Sequence, residues 1–477
     1  MADNTITRRK ALAATAAVPL ALTAQAQTRN AAASKPNIIY IMADDLGYAD
    51  LSCYGRREYK TPNIDTLATQ GVKFLQAYAN SAVCSATRIA LITGRYQYRL
   101  RAGLEEPIRN NSPLGLPPEH PTMPSLLKKA GYGTTLVGKW HLGGLPNFGP
   151  LKSGYDHFWG FRWGALDYFT HKFGEGETMY GEDLWDGDAQ VHEVGYLTDL
   201  MGDHAVKAID GYAKQKQPFL LSLHFNAPHW PWEGPADEAE AQKIKMLNGH
   251  DSGTMKTYAE MVTRMDVNVG KVLKALDNNK IASNTIVVFT SDNGGERFAD
   301  TWPFSGKKTE LLEGGLRIPA LVRWPGHIRA GSTTNQVGVT MDWLPTFLAA
   351  AGGSPDPAYP PDGISLLPQL TQAAVPVPRR LYWRYHFNQQ KALRDGDLKF
   401  VRINGNDFLF NVVDDPLERA NLKDRRPDVY KQMLSAYDEW NSTMLPDSDD
   451  IRTGPLGFAD EVADHFGVTR PRPAGQR

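Results

Sequence analysis

Along most of the chain, short uninterrupted apolar runs alternate with longer amphipathic stretches. Residues 37–42, 135–137, 218–225, 285–290 and 318–323 are apolar or β-branched at most positions, the pattern of strands covered on both faces. Between them, residues 61–70, 124–130, 196–213, 257–276 and 342–350 repeat apolar positions at helical spacing. Pro62 and Pro124 stand where a first helical turn accepts proline, and Gly71 and Gly131 follow the stretches they close. Apolar strands alternating with helices predict a doubly wound α/β sheet.

The pattern changes after residue 354. Residues 355–379 are rich in Pro, Gly and Ala. Beyond them, 381–385, 392–393, 398–403 and 408–413 read as short antiparallel strands, with Asp395-Gly396 and Asn404-Gly405 as turn signals. Residues 426–440 read as a terminal helix, and the end from 466 as a loose Pro/Arg-rich tail. This places a leader at 1–26, a large domain at 27–372 and a smaller C-terminal one at 373–477.

Polar residues recur just past the carboxyl ends of the strands, where open α/β sheets bind ligands. Asp44, Asp45, Lys139, His141, His229, Asp292 and Asn293 all hold such positions. Asp44-Asp45 and Asp292-Asn293, if they converge, offer oxygen ligands to a hard cation. Either pair alone reads better as an Asx turn or helix cap; the two together, at two strand ends of one sheet, favour a metal. Lys139 and His141, two apart on an extended segment, would leave the same face. His229 lies between Pro228 and Pro231, a setting that holds an imidazole still for general acid work.

Residues 81–95 read as a loop feeding a helix, with Ser85 as a cap and Gly94 as its end. Spacing of four brings Cys84 and Arg88 together across the first turn. A cysteine on a helix start beside a guanidinium is a candidate nucleophile, although most free cysteines simply pack. Cys53 is the other cysteine. A Cys53–Cys84 disulfide would defeat the nucleophile reading, whereas modification of Cys84 before export would leave Cys53 a lone thiol.

A formal net charge of −1 gives no reason to expect nucleic acid or an anionic membrane as partner. Twin arginines, Arg8-Arg9, precede an Ala/Leu/Val-rich stretch ending at Leu22, and Ala24-Gln25-Ala26 follows. That is the pattern of a Tat-type export signal, cleaved after 26, and predicts a periplasmic or secreted bacterial protein with no membrane anchor in its mature form.

Cys84-Ser85-Ala86-Thr87-Arg88, closed by Thr93-Gly94-Arg95, resembles the Cys-x-Pro-x-Arg and Thr-Gly-Arg motif of the type I, formylglycine-dependent sulfatases of the alkaline phosphatase superfamily. Ala86 stands where the motif carries Pro. Asp44-Asp45-Leu46-Gly47, Gly138 to Gly143, Asn226 to Pro231, Ser291 to Gly294 and Lys308 ahead of Glu313-Gly314-Gly315 resemble further family segments in family order. So do 154–168 and 409–422.

The resemblance implies a large mixed sheet sandwiched by helices, alkaline phosphatase-like, with a smaller C-terminal α+β domain carrying a short antiparallel sheet. It implies hydrolysis of a sulfate ester, of a sulfated carbohydrate or an aryl alcohol. Cys84 would be converted to 3-oxoalanine (formylglycine) by a dedicated maturation system. Ca2+, in preference to Mg2+, would be held by Asp44, Asp45, Cys84, Asp292 and Asn293. Arg88, Lys139 and Lys308 would hold sulfuryl oxygens, Lys308 in preference to Lys307. His229 would protonate the leaving alcohol, and His141 would take a proton from the modified residue. Trp230, Trp232, Tyr168 and 382–386 are candidates to line a ring subsite. Three competing readings stay open: a phosphonate or phosphate ester hydrolase of the same superfamily, a non-catalytic binder of sulfated glycans if Cys84 is unmodified, and an enzyme using the Cys84 thiol directly.

Overall fold

The computed structural model describes residues 35–453 apart from 176–177, 246, 248–252, 373 and 449. The export signal expected at 1–26 and the tail expected from 466 lie outside the described residues.

Strand Asn37–Ala43 is buried at every position. Ile39, Ile41 and Ala43 enter the core on one side of the sheet, and Ile38, Tyr40 and Met42 the core on the other. The period-two alternation thus divides one apolar run between two hydrophobic layers. Among the described residues, ten strands form this sheet. Asn37–Ala43 lies parallel between Thr285–Ser291 and Phe219–His224, with Gly133–Lys139 and then His157–Phe161 continuing the parallel series. On the other side Ala320–Arg323 runs antiparallel to Thr285–Ser291 and Val72–Phe74 antiparallel to it in turn, which makes the sheet mixed.

Helices Leu197–Gln215 and Met255–Asn278 cover one face. The longer one buries Met261, Met265, Val269, Val272 and Leu276 at steps of three and four, the stripe its period predicts. The opposite face is covered by Cys84–Thr93, Met123–Lys129 and Trp343–Ala351. Thr122 caps Met123–Lys129 by accepting from Ser125 N, while Ser125 Oγ accepts from Thr122 N. No helix among the described residues is long and apolar enough to cross a membrane.

After the linker, Arg380–Tyr385, Gln390–Asp395, Leu398–Ile403 and Asn406–Asn411 form the expected antiparallel sheet of four. Asn404-Gly405 closes the last hairpin with both residues at positive φ (48° and 79°), the conformation that Asn-Gly favours. The preceding loop is Gly396-Asp397, one residue later than the turn signal suggested, because Asp395 still pairs with Leu398. Helix Pro427–Ser442 packs Met433 and Tyr437 against Leu393, Phe400 and Leu409 of this sheet. On its other side the sheet adds Trp383, Tyr385, Val401 and Phe410 to a core that holds Val83, Ala86 and Ala90 of the Cys84 segment.

Candidate active site

The carboxyl ends of the parallel strands meet at one buried point. Asp44-Asp45 follows Ala43, Asp292-Asn293 follows Ser291, Lys139 ends its strand, and His229 lies five residues beyond His224. Backbone bonds fix these ends together: Asp292 N donates to Ala43 O (3.2 Å) and Asp44 N to Ala227 O (3.1 Å). Consecutive residues of a strand point to opposite faces. The chain leaves its strand at Ala43 and Asp45 takes φ 64°, which brings both carboxylates to the same place. Gly138 permits the neighbouring crossing: it has φ 107°, and a Cβ there would lie 2.0 Å from His224 O.

Cys84 opens helix Cys84–Thr93 and points into this point, buried. Single ligand atoms of Asp44, Cys84 and Asp292 lie within 4.8 Å of one another, and so do those of Asp44, Asp45 and His229. Gly94 ends the helix in the left-handed conformation (φ 67°), as its position suggested. Ser85 does not cap it. Val83 is the N-cap without a side-chain bond, and Ser85 Oγ instead accepts from Ile108 N at 2.8 Å. Lys139 and His141 do not share an extended segment either. The strand stops at Lys139, and His141 takes φ 57°.

Three cations interleave with the acids. Arg88 donates from Nη2 to Asp292 Oδ2 (2.8 Å) and Asp44 Oδ2 (3.3 Å), and from Nη1 to Lys139 O (3.2 Å). Lys139 Nζ donates to Asp44 Oδ2 and Lys308 Nζ to Asp45 Oδ2 at 2.6 Å. Lys308 is buried, whereas Lys307 is half-buried. Such a set of buried charges is tolerable because each is paired. Burial alone would discharge Lys308, but Asp45 and then Glu296 outweigh it and raise its pKa.

Two acceptor atoms stand out. Asp44 Oδ1 and Asn293 Oδ1 are buried and lack a hydrogen-bond partner among the described residues, while Asn293 Nδ2 donates to Asp45 Oδ1 at 2.7 Å. Buried acceptors are rarely left unmade. Oxygen acceptors beside two further carboxylates are the donor set of a hard divalent cation, so these residues fit the ion the family implies.

The histidines are held as neutral rings. His141 Nε2 meets Ile108 O at 2.8 Å; a carbonyl only accepts, so Nε2 carries the hydrogen, and the buried Nδ1 has no partner among the described residues. His229 Nδ1 meets Trp230 O at 2.7 Å, so its Nε2 faces the site, 3.6 Å from Asp45 Oδ2. Burial first, then the lysines, push both well below the usual histidine range. Burial also raises the Cys84 thiol, against Lys139. A thiol held protonated is a poor nucleophile, which argues against direct thiol chemistry. Cys53 and Cys84 are both free, so no disulfide joins them.

Several contributors carry no motif of their own. Tyr168, expected at a ring subsite, is wholly buried; its hydroxyl donates to Asn226 O (3.1 Å) and His229 O (2.9 Å) and so braces the His229 turn. Trp383 and Tyr385 are likewise core residues. Glu296, pushed up to about 7 by burial, adds a carboxyl beside Lys308 and Asp45. Trp230, also expected there, is half-buried with its ring 4.4 Å from that of His229, whereas Trp232 is buried. Further half-exposed rings come from elsewhere. Trp163 packs over Gly144, and adjoining Gly164 lies against the His141 ring. From Trp163 a row of stacked rings runs to Phe173 (6.4 Å between centroids) and on to Tyr180 (5.0 Å).

A model of the sulfatase family matches residues 36–354, the span that supplies every one of these site residues. The chain belongs to the sulfatase family. The N-acetylgalactosamine-6-sulfatase of Homo sapiens is 33% identical over 365 residues, covering 73% of this chain and 68% of its own length. The crystal structure of Ps i-CgsB superposes with a TM-score of 0.78 at 34% identity, covering 85% of this chain and 92% of that one. The same protein in complex with k-i-k-neocarrahexaose gives 0.77 at 33% with the same coverage. The phosphonate monoester hydrolase of Agrobacterium radiobacter, at 20% identity and TM-score 0.60, shares the fold. This sulfatase is therefore a sulfuric ester hydrolase, built on a large mixed sheet with a small antiparallel sheet at its C-terminal end.

Proposed function

We propose that this sulfatase removes sulfate from a sulfated carbohydrate, with residue 84 as nucleophile after oxidation of Cys84 to formylglycine. The observation that carries the reading is the convergence of Cys84, at the head of its helix, with Asp44 and Asp292 under the cations Arg88, Lys139 and Lys308. A Ca2+ ion held by Asp44, Asp45, Asp292, Asn293 and residue 84 would supply positive charge to a sulfate oxygen and to the nucleophile. Formylglycine would supply, as its hydrate, a hydroxyl in place of a thiol.

The remaining roles belong to this chain's own groups. Lys139, Lys308 and Arg88 hold the sulfuryl oxygens and favour the charge that grows on them, preorganised by their own carboxylates. Asp292, raised first by burial and then by Asp44, takes the proton of the attacking hydroxyl. His229 faces the site through Nε2. Burial, and after it the charges of Lys308 and Lys139, keep this ring neutral; an anionic sulfate ester set against those lysines offsets their part, which favours a proton on Nε2 for the leaving oxygen. His141 presents its free Nδ1 as the acceptor for the proton given up when sulfate is expelled.

The carbohydrate assignment draws support from the relatives: one is named for an amino sugar sulfate and another was crystallised with a carrageenan-type oligosaccharide. The half-exposed rings beside His141 suit the apolar face of a sugar. Export by a Tat signal to the periplasm or beyond, after maturation of Cys84 in the cytosol, agrees with Arg8-Arg9.

The test is the mass of the Cys84 peptide from protein made in its native host, joined to assays of sulfate and phosphate esters on that sample. A formylglycine mass with sulfate ester turnover is expected. An unmodified thiol in a protein that still turns over sulfate esters would overturn the nucleophile, and preference for phosphate or phosphonate esters would overturn the substrate.

A further inference from the structure

We infer that Gln390, the first residue of strand Gln390–Asp395 in the C-terminal sheet, is a positioning residue for Lys308. The inference rests on the reading of Lys308 as a sulfate ligand. Lys308 stands on a loop, not on a regular element, and the residue after it is strained: Thr309 has φ 71°, a region that β-branched residues avoid. Left to itself, that turn would relax and carry the lysine with it.

The loop is held from both sides of Lys308. Its own amide donates to Gly295 O at 3.0 Å, and Thr309 N donates to Ala82 O at 2.9 Å, two residues ahead of Cys84. The other half of the clamp is one side chain. Gln390 Nε2 donates to Thr309 O at 2.9 Å and to Phe387 O at 3.1 Å, and its Oε1 accepts from Leu311 N at 2.9 Å. The amide is 1% exposed, so these bonds meet no competition from water. Together they fix the peptide unit that leaves the strained residue, one position from the lysine whose amine reaches Asp45 at 2.6 Å.

The same sheet region clasps the loop at its ends. Ser305 Oγ donates to Leu417 O (2.7 Å) and Glu313 N to Glu418 Oε2 (2.7 Å), while Lys399 Nζ bridges Glu313 and Glu418 at 3.0 Å each. The small sheet thereby sets where a cation of the main site stands, although its own residues stay out of the cluster of acids.

A double-mutant cycle tests this. Gln390→Met keeps the length and removes every bond; kcat and KM for one sulfate ester are measured for the wild type, Q390M, K308A and the double variant. Q390M is expected to lower kcat/KM about tenfold in the wild-type background and less than twofold in the K308A background, since the lysine it places is then absent. Gln390→Glu keeps the acceptor for Leu311 N but sets an oxygen against Thr309 O, and should show the same loss and the same dependence on Lys308; it serves equally if Q390M does not fold. An equal loss in both backgrounds, or no loss in the first, overturns the inference. A K308A protein as active as wild type overturns the reading of Lys308 and the inference with it, while wild-type turnover of sulfate esters keeps the enzyme assignment standing.

Discussion

The carbonyl of Ile108 accepts the Nε2 hydrogen of His141 at 2.8 Å, and this one bond decides which ring nitrogen is free to take a proton. Ser85 Oγ accepts from the Ile108 amide at 2.8 Å, so the residue after Cys84 helps to hold the segment whose carbonyl His141 meets. His141→Ala is therefore expected to lower kcat by about 100- to 10,000-fold, the usual worth of a positioned acid or base. Ser85→Ala leaves a buried amide unmade, which costs about 1–3 kcal/mol of stability and should reduce kcat far less. Steady-state kinetics with melting curves separates the two. A Ser85→Ala protein as slow as His141→Ala would mean that the placement of His141 depends wholly on the bond from Ile108 N to Ser85.

Asp44 Oδ1 and Asn293 Oδ1 are buried acceptors without a hydrogen-bond partner among the described residues. If they hold Ca2+, the wild type should melt several degrees higher with Ca2+ than after treatment with EDTA, since a ligand at 100 times its Kd stabilises by about 2.7 kcal/mol. Asp44→Asn should lose most of that increment and Asn293→Ala part of it. Differential scanning fluorimetry with and without Ca2+ reads this without any assay of turnover. Equal melting temperatures in the two conditions would leave the cluster to its own lysines and arginine.

Much of this site was legible in the chain, and the part that was not has a common cause. Strands such as Asn37–Ala43 announce themselves because both of their faces are buried, and the acids and cations sit where those strands end. His157–Phe161 escaped notice because Gly160 interrupts a short run and exposed His157 opens it. The roles of Ser85, Ile108, Tyr168 and Gln390 were invisible for another reason. Each makes a bond between a side chain and a main-chain group 23 to 81 residues apart, and a main-chain group leaves no signature in a sequence. Ser85 even misled, because a serine at a helix start usually caps it and this one reaches to Ile108 instead.

Trp163, Phe173 and Tyr180 make a separable prediction about the substrate. Tyr180 is exposed, and the row begins beside the His141 loop, so a sugar unit next to the sulfated one can lie along it. Phe173→Ala and Tyr180→Ala should each raise KM for a sulfated oligosaccharide about fivefold to twentyfold, the loss of about 1–2 kcal/mol of ring contact. Neither should change kinetics with a small aryl sulfate, which ends short of the row. Parallel losses on both substrates would place these rings in the fold and not in the binding surface.

Glu233 gives the fold a pH dependence with a defined sign. Its carboxyl is pushed up to about 9, by burial first and by the charge of Asp167 second, and one oxygen accepts from Tyr168 N at 3.0 Å. The folded protein therefore keeps a proton that the unfolded chain, with an ordinary carboxylate near 4.5, gives up. A raised folded pKa means stability that is complete below 4.5 and declines as pH climbs through the interval to about 9. Glu233→Gln cannot ionise, keeps an acceptor for Tyr168 N and offers its amide to Asp167, so it should escape the decline. The stability of E233Q relative to wild type is expected to grow from pH 5 to pH 8, by at most about 1.4 kcal/mol per pH unit. The buried His141, His224 and His229, all depressed, act oppositely and lose stability as pH falls below 6.5, but they are common to both proteins and cancel in the difference. Denaturant titrations at four pH values supply that difference. A constant offset would mean that Glu233 is ionised in the folded protein.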